Sequence, residues 1–306
     1  MAKIFEQDWD DNVTQVYSVI NDDFTRVTDN ITKKNRAGFI MNSPGKTFTL
    51  KHTGVLCLPW HEAPDGYPPV ELSVLNGNFI IEGEGEDTVS RFGEGAGLAL
   101  TLQNDATFSV SEKRSLLLNG GGSINAGLFD NATFSLTTMS SQSVIDGRYE
   151  LNQQSHMHIQ TDQGIKVNLN ESIFTLNDQS ELRICADGII PQNKSGAFLV
   201  CIYGNQNSIV SFQSISGENN SDPFQLLNND ASYEGCINFS QNSTATLNID
   251  VNARMGTALG LKLLNAKKLF TIDGKPTDVS DNLFDITYGH AIRGKTQVGV
   301  ITIKKM

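Results

Sequence analysis

Asp105-Ala106-Thr107-Phe108-Ser109-Val110 is the stretch that decides the fold, because variants of it return along the chain. A polar residue comes first, Ala or Ser follows, and apolar residues then occupy every second position. Residues 131–136 repeat the pattern almost residue for residue. Alternation with a period of two turns one face of an extended strand inward. Each copy therefore predicts a strand, with Phe108 or its counterpart in a core.

The copies return with a period near 25 residues. When the Ala or Ser of each copy is aligned, the intervals are 26, 23, 25, 28 and 24 residues. The aligned residues are Ala106, Ala132, Ser155, Ser180, Ser208 and Ser232. In the copy at Ser232 the apolar pair slips to Ile237 and Phe239.

A second, less regular series of apolar runs accompanies the first, at residues 116–118, 144–145, 165–169 and 189–190. A period near 25 with two or three short strands is typical of a parallel β-helix. We therefore predict an all-β fold, a single-stranded parallel β-helix (β-solenoid) over residues 70–250. A β-sandwich is the alternative, but it explains the alternation without the fixed period.

Residues 5–35 place apolar side chains at steps of three and four, which predicts an N-terminal amphipathic α-helix within residues 1–36. Its apolar stripe is Phe5, Trp9, Val13, Val16, Ile20, Phe24, Val27 and Ile31. Several β-branched residues and the absence of Leu weaken its helix propensity, so the helix needs a partner. Copies of itself in a parallel bundle would make the chain a homo-oligomer, with a trimer favoured. Packing against the following domain and a pair of strands are the alternatives.

The remaining segments flank the predicted solenoid. Residues 37–69 read as two strands and a proline-rich loop, and residues 251–306 as a small β-rich C-terminal cap containing one short helix. The loop at 59–69 holds four of the eight prolines, which favours an ordered conformation. Its candidate ligand-binding residues are Trp60, His61, Glu62, Asp65 and Tyr67. Aromatic faces beside carboxylates suit a sugar, whereas the alternative is that Trp60 and Tyr67 plug the open end of the first coil.

No catalytic constellation, cofactor motif or metal spacing is legible in the sequence. His156 and His158 flank the inward Met157, so both are expected to point outward; such a pair can bind a metal, but we expect it to be solvated. Outer-face carboxylates carry out glycoside hydrolysis in other proteins. The candidates here all lie at turn-like steps, where Asp is chosen for its backbone hydrogen bonds. They are Asp146, Glu150, Asp162, Asp178 and Asp187.

Composition excludes several classes of partner. The net charge is −11 and the pI about 4.9, which disfavours nucleic acid and anionic membranes. The sequence shows no signal peptide and no transmembrane segment, and we expect a virion or cytoplasmic location. Four cysteines without C-x-x-C spacing are expected to be free thiols, with Cys185 and Cys201 buried.

The predicted order of helix, parallel β-helix and compact β-rich end resembles the trimeric tailspike and tail-fibre proteins of bacteriophages. The resemblance is architectural, covers residues 5–35 and 70–250, and carries no catalytic motif. It implies a structural or adhesive, self-associating homotrimer that contacts a surface partner such as a carbohydrate. A polysaccharide lyase or glycoside hydrolase on the same scaffold and a cytoplasmic, self-polymerising solenoid are the alternatives, and the sequence favours a non-enzymatic protein.

Overall fold

The fold is taken from a computed structural model. It describes residues 3–4, 14–18, 22–30, 38–60, 70–94, 97–118, 124–169, 171–191, 199–204, 206–216, 222–227, 233–280 and 282–305.

The chain is predominantly β and contains a parallel β-solenoid of about six turns, which confirms the predicted fold class at that level. It divides into two compact units, residues 1–150 and 151–306.

The first unit is built from short strands that alternate with turns. They are β1 (Lys3–Ile4), β2 (Gln15–Ser18), β3 (Phe24–Thr28), β4 (Phe39–His52), β5 (Val55–Trp60), β6 (Val70–Gly83), β7 (Val89–Glu94), β8 (Leu98–Leu102), β9 (Thr107–Glu112), β10 (Ser115–Leu118), β11 (Ile124–Leu128), β12 (Thr133–Thr138), β13 (Val144–Ile145) and β14 (Arg148–Leu151), the last residue of which belongs to the second unit.

The second unit continues with strands of similar length and adds one helix. Its elements are β15 (His156–Thr161), β16 (Val167–Leu169), β17 (Ile173–Leu176), β18 (Glu181–Cys185), β19 (Ile189–Pro191), β20 (Leu199–Ile202), β21 (Ile209–Gln213), β22 (Ile237–Phe239), β23 (Thr246–Asn252), α1 (Gly256–Ala266), β24 (Phe270–Ile272), β25 (Lys275–Pro276), β26 (Phe284–Arg293) and β27 (Thr296–Lys305).

Each turn of the solenoid contributes one strand to each of three ladders, in which equivalent strands of successive turns pair in parallel. In the first unit β8 and β11 belong to the first ladder, β9 and β12 to the second, and β10 and β13 to the third. In the second unit the corresponding pairs are β17 with β20, β18 with β21, and β16 with β19. The predicted apolar runs at 116–118, 144–145, 165–169 and 189–190 thus correspond to the third ladder.

The interior of the first unit is a stack of phenylalanines. Phe108 lies opposite Phe134 and Phe79 in register, and its ring centroid lies 5.3 and 5.1 Å from theirs. Phe48 extends the stack at 5.3 Å from Phe79. All four rings are buried. The in-register repeat forces the same inward position in each coil to meet its counterpart, as predicted from the period-two pattern.

The small residue of the repeat stands where the chain turns from the first ladder to the second. Ala106 and Ala132 in the first unit, and Ser155 and Ser180 in the second, are fully buried. Two residues before each of them, the backbone adopts a positive φ, as at Asn104 (55°) and Asp178 (54°). Asn and Asp tolerate this left-handed conformation better than other non-glycine residues, and they occupy three of the four positions, Asn104, Asp130 and Asp178, with Gln153 at the fourth.

The assignment of a repeat copy to Ser232 was wrong. β21, which follows Ser208, pairs with β23 so that Val210 lies opposite Leu247, and the equivalent small residue is the buried Ala245. Ile237 and Phe239 instead belong to β22, which pairs with β20 in the first ladder. Because the segment after β21 is longer than in the other turns, the next copy of the repeat begins at Ala245, later than a constant period predicts.

The prediction of an N-terminal helix was also wrong at the residues of that segment that the structure describes. β2 pairs in parallel with β4, and so does β3, with Phe24 opposite Phe48. The ring of Tyr17 stacks on Phe48 at 5.3 Å, whereas Val27, in the predicted stripe, is 66 % exposed. β-branched residues favour strands, and the edge of β4 offers hydrogen bonds that an isolated helix with weak propensity lacks. The chain therefore adopts the strand alternative.

The C-terminal segment contains the predicted short helix and strands. β27 pairs antiparallel with β23 and with β26, so the parallel second ladder ends there. Asp250 of β23, 1 % exposed, receives hydrogen bonds from Arg293 of β26, with Nε 2.7 Å from Oδ2. A buried carboxylate joined to an arginine fork fixes the hairpin on the end of the ladder.

The cysteines are free thiols. Cys57, Cys201 and Cys236 are buried, whereas Cys185 is only half-buried and lies on the outward side of β18. The described residues contain one α-helix, α1, which is 11 residues long. No helix among them is long and apolar enough to cross a bilayer.

Candidate functional site

The predicted ligand loop lies outside the described residues. Trp60 ends β5, but its side chain and residues 61–69, with His61, Glu62, Asp65 and Tyr67, are not described. The same holds for Phe5, Trp9, Val13, Ile20 and Ile31 of the predicted oligomerisation stripe. Their proposed roles stay predictions.

Three of the five candidate carboxylates, Asp162, Asp178 and Asp187, accept hydrogen bonds from backbone N–H groups. Asp178 Oδ2 accepts a hydrogen bond from the backbone N–H of Gln153 at 3.1 Å, one coil away. Asp162 Oδ1 accepts the N–H of Gln163 at 2.8 Å. Asp187 Oδ1 accepts the N–H groups of Ile215 and Ser216, both at 2.9 Å. The expected turn chemistry therefore accounts for these three side chains.

Asp187 is the most heavily hydrogen-bonded of them. Its Oδ2 also accepts the N–H of Gly164 at 2.7 Å, and its Oδ1 accepts the hydroxyl of Ser214 at 2.8 Å. Burial alone would raise the pKa of Asp187, but these hydrogen bonds outweigh burial and hold the pKa below its ordinary value. The ionised Asp187 carboxylate links its own strand end to the segments at Gly164 and at residues 214–216. Its role is therefore structural, and it does not act as a proton donor.

A buried histidine cluster, His52, Ser90 and Glu112, lies inside the first unit. His52 Nε2 lies 2.7 Å from Glu112 Oε1, and both side chains are fully buried. His52 Nδ1 lies 3.0 Å from the carbonyl oxygen of Gly54, and the Ser90 hydroxyl donates to Glu112 Oε1. His52 ends β4 and Glu112 ends β9, so the two residues belong to one inward row of the second ladder.

Gly83 explains how this contact forms. It pairs with His52 and occupies the coil between the two partners. A side chain there would collide with the Glu112 carboxylate and the Thr88 hydroxyl. Because glycine leaves the space empty, histidine and glutamate meet across two strand spacings, about 10 Å of backbone separation.

The buried histidine cluster has the residue types of a catalytic triad but not its geometry. A triad needs the nucleophile on one imidazole nitrogen and the carboxylate on the other. Here Ser90 and Glu112 both approach Nε2 of His52, and Nδ1 faces a backbone carbonyl. Neither His52 nor Glu112 has exposed side-chain surface, so substrate has no access. The cluster is part of the scaffold.

An outward histidine cluster, His156, His158, Glu181 and Arg183, lies on the second ladder of the second unit. His156 and His158 alternate with the buried Met157 on β15, as predicted. On β18, Glu181 lies opposite His156, and Arg183 lies opposite His158. Parallel pairing in register thus sets two imidazoles beside a carboxylate and a guanidinium on one face of the sheet.

The geometry of this cluster is close. His156 Nδ1 lies 3.4 Å from Glu181 Oε2, and Arg183 Nη2 donates to Glu181 Oε1 at 2.8 Å. Burial lowers the pKa of His158 below its ordinary value, and the Arg183 charge lowers it further. His158 is therefore a neutral imidazole at pH 7. The ligand atoms of His156, His158 and Glu181 lie within 4.8 Å of one another.

Sequence reasoning found the histidine pair but missed Glu181. The available signal was the interval of 25 residues between Ser155 and Ser180, since the residue after each is His156 and Glu181. The pairing of His52 with Glu112, by contrast, depends on the empty position at Gly83.

Neither a scan against protein-family models nor searches of curated proteins and of solved structures found a match to this chain.

Proposed function

We propose that this chain is a structural and adhesive β-solenoid, a self-associating component of a bacteriophage tail or a similar fibre that contacts a surface partner such as a carbohydrate. The observation that carries the proposal is the in-register stacking of the coils. The stacked Phe48, Phe79, Phe108 and Phe134 make a dry interior in the first unit, and a close-packed interior of this kind resists deformation.

Two further observations support a structural role over catalysis. Three of the five candidate carboxylates, Asp162, Asp178 and Asp187, accept hydrogen bonds from backbone N–H groups. The buried histidine cluster, which has the residue types of a catalytic triad, has no exposed side-chain surface at His52 or Glu112. The antiparallel β27 on the end of the second ladder also favours an assembly of defined size over open-ended polymerisation through that end.

Light scattering coupled to gel filtration tests self-association. A homotrimer of the 33.4 kDa chain has a mass of about 100 kDa, which is three times 33.4, and we expect this mass to persist on dilution. A mass of one chain at every concentration contradicts the proposal. Because residues 15–18 and 24–28 are strands, we do not attribute the assembly to the predicted helical bundle.

Incubation with bacterial surface polysaccharides tests the adhesive role. We expect retention of the chain on an immobilised polysaccharide without new reducing ends or unsaturated sugars. Turnover that an Asp→Asn substitution abolishes would establish the lyase or glycoside hydrolase alternative instead.

A further inference from the structure

We propose that His156, His158 and Glu181 form a binding site for a divalent transition-metal ion, with Zn²⁺ as the ion that the ligand set suits best. Nitrogen donors from two imidazoles and one carboxylate oxygen are ligands that Zn²⁺ prefers. Ca²⁺ and Mg²⁺ require more oxygen donors than this face offers.

The backbone holds the three ligands in place before a metal arrives. His156 and His158 are next-but-one neighbours on β15, and Glu181 is the register partner of His156 on β18. Zinc bonds of about 2.0 Å in a tetrahedral arrangement place ligand atoms about 3.3 Å apart. The pair His156 Nδ1 and Glu181 Oε2 is already at 3.4 Å. Since all three ligand atoms lie within 4.8 Å of one another, side-chain rotation on a fixed sheet completes the set.

An unsatisfied atom points to a ligand independently of this spacing. His158 Nε2 is buried and has no hydrogen-bond partner among the described residues. Buried polar atoms normally have a partner, and an exception calls for an unseen ion or water.

Arg183 has two opposing effects on the site. By donating to Oε1 of Glu181 it fixes the carboxylate and leaves Oε2 for the metal, as second-shell partners do in other sites. Its positive charge also opposes an incoming cation. The three protein ligands leave the fourth zinc position open, and an open position takes water or a donor atom from a bound molecule.

The experiment is a calorimetric titration of the full-length chain, stripped with EDTA, with ZnCl₂ in an excess of Mg²⁺. We expect a saturable site of one Zn²⁺ per chain that is assigned to these residues by substitution. His156→Ala, His158→Ala and Glu181→Gln should each weaken it roughly tenfold or more. His290→Ala removes an exposed histidine of the same unit. It is the matched control and should bind as the wild type does.

A second readout separates metal binding from a folding defect. Zn²⁺ should raise the unfolding midpoint of the wild type and of the His290→Ala control, because a ligand of the native state stabilises that state. At the same Zn²⁺ concentration it should raise the midpoint of the three ligand variants by less, while all the chains unfold at similar temperatures in EDTA. Absence of a one-to-one site in the wild type, or equal affinity in the three ligand variants, overturns the proposal.

Discussion

The contact between His52 and Glu112 is the most consequential single interaction in the first unit. The two side chains are 60 residues apart in sequence and fully buried. Inside the solenoid neither polar side chain can bind water, so each depends on the other for its hydrogen bond. Glu112 Oε2 lacks a hydrogen-bond partner in the described residues, which makes the cluster sensitive to the loss of either partner.

Replacement of one partner should therefore be costly. We expect Glu112→Ala to lower the free energy of unfolding by about 3 kcal/mol, because it leaves His52 buried beside an empty space. The double variant His52→Leu with Glu112→Met should recover much of this loss, since apolar groups need no partner. Urea unfolding of the single and double variants measures both values. A Glu112→Ala chain as stable as the wild type contradicts this account.

Among the elements, the turn at residues 222–227 depends most visibly on one carboxylate. Asp222 is 4 % exposed and accepts the N–H of Leu226, with Oδ1 at 3.0 Å. Burial raises the pKa of Asp222 to about 6, although hydrogen bonds from the turn and the charge of Lys267 act in the opposite direction. The carboxyl group thus binds a proton more tightly in the folded chain than in the unfolded chain.

This pKa predicts a pH dependence of stability. Because the folded pKa lies above the unfolded value of 3.8, the contribution of Asp222 is fully present below pH 4 and is lost as the pH rises through about 6. A shift of two units corresponds to about 3 kcal/mol. Asp222→Asn retains an acceptor oxygen without the charge, so its stability relative to the wild type should rise between pH 4 and pH 7.

Urea unfolding of both chains at the two pH values measures the change. Asp285→Asn, at an exposed position of β26, serves as the control and should show no such gain. If the difference between Asp222→Asn and the wild type is the same at pH 4 and pH 7, burial does not set the behaviour of this carboxyl group.

At the scale of the whole molecule, the end of the second unit decides whether the ladder can continue. Ile301 and Ile303 of β27 are fully buried against the last coil, and Phe284 of β26 is 1 % exposed. Without this hairpin, β23 would present a row of free N–H and C=O groups and an uncovered core. An open ladder end of this kind recruits strands from other chains.

Removal of the hairpin should therefore change the state of assembly. A chain that ends at residue 280 is expected to form species larger than those of the full chain, with a mass that grows with concentration. Light scattering measures this mass. Ile292→Ser, a change at a hairpin residue that is 67 % exposed, should leave the assembly as it is. A truncated chain with the mass distribution of the full chain contradicts the capping role.

The repeat alone was sufficient to predict the parallel solenoid, the inward position of Phe108 and the turn role of Asp178. These features are local: alternation fixes which side chain points inward, and a constant period brings equivalent residues together. The strands at 15–18 and 24–28 were not predictable in this way, because the edge of β4 stabilises an extended conformation that the apolar spacing did not favour. The partners of His52 and His156 were not predictable from the repeat either. A contact between coils depends on which strands become neighbours, and on the space that a residue such as Gly83 leaves between them.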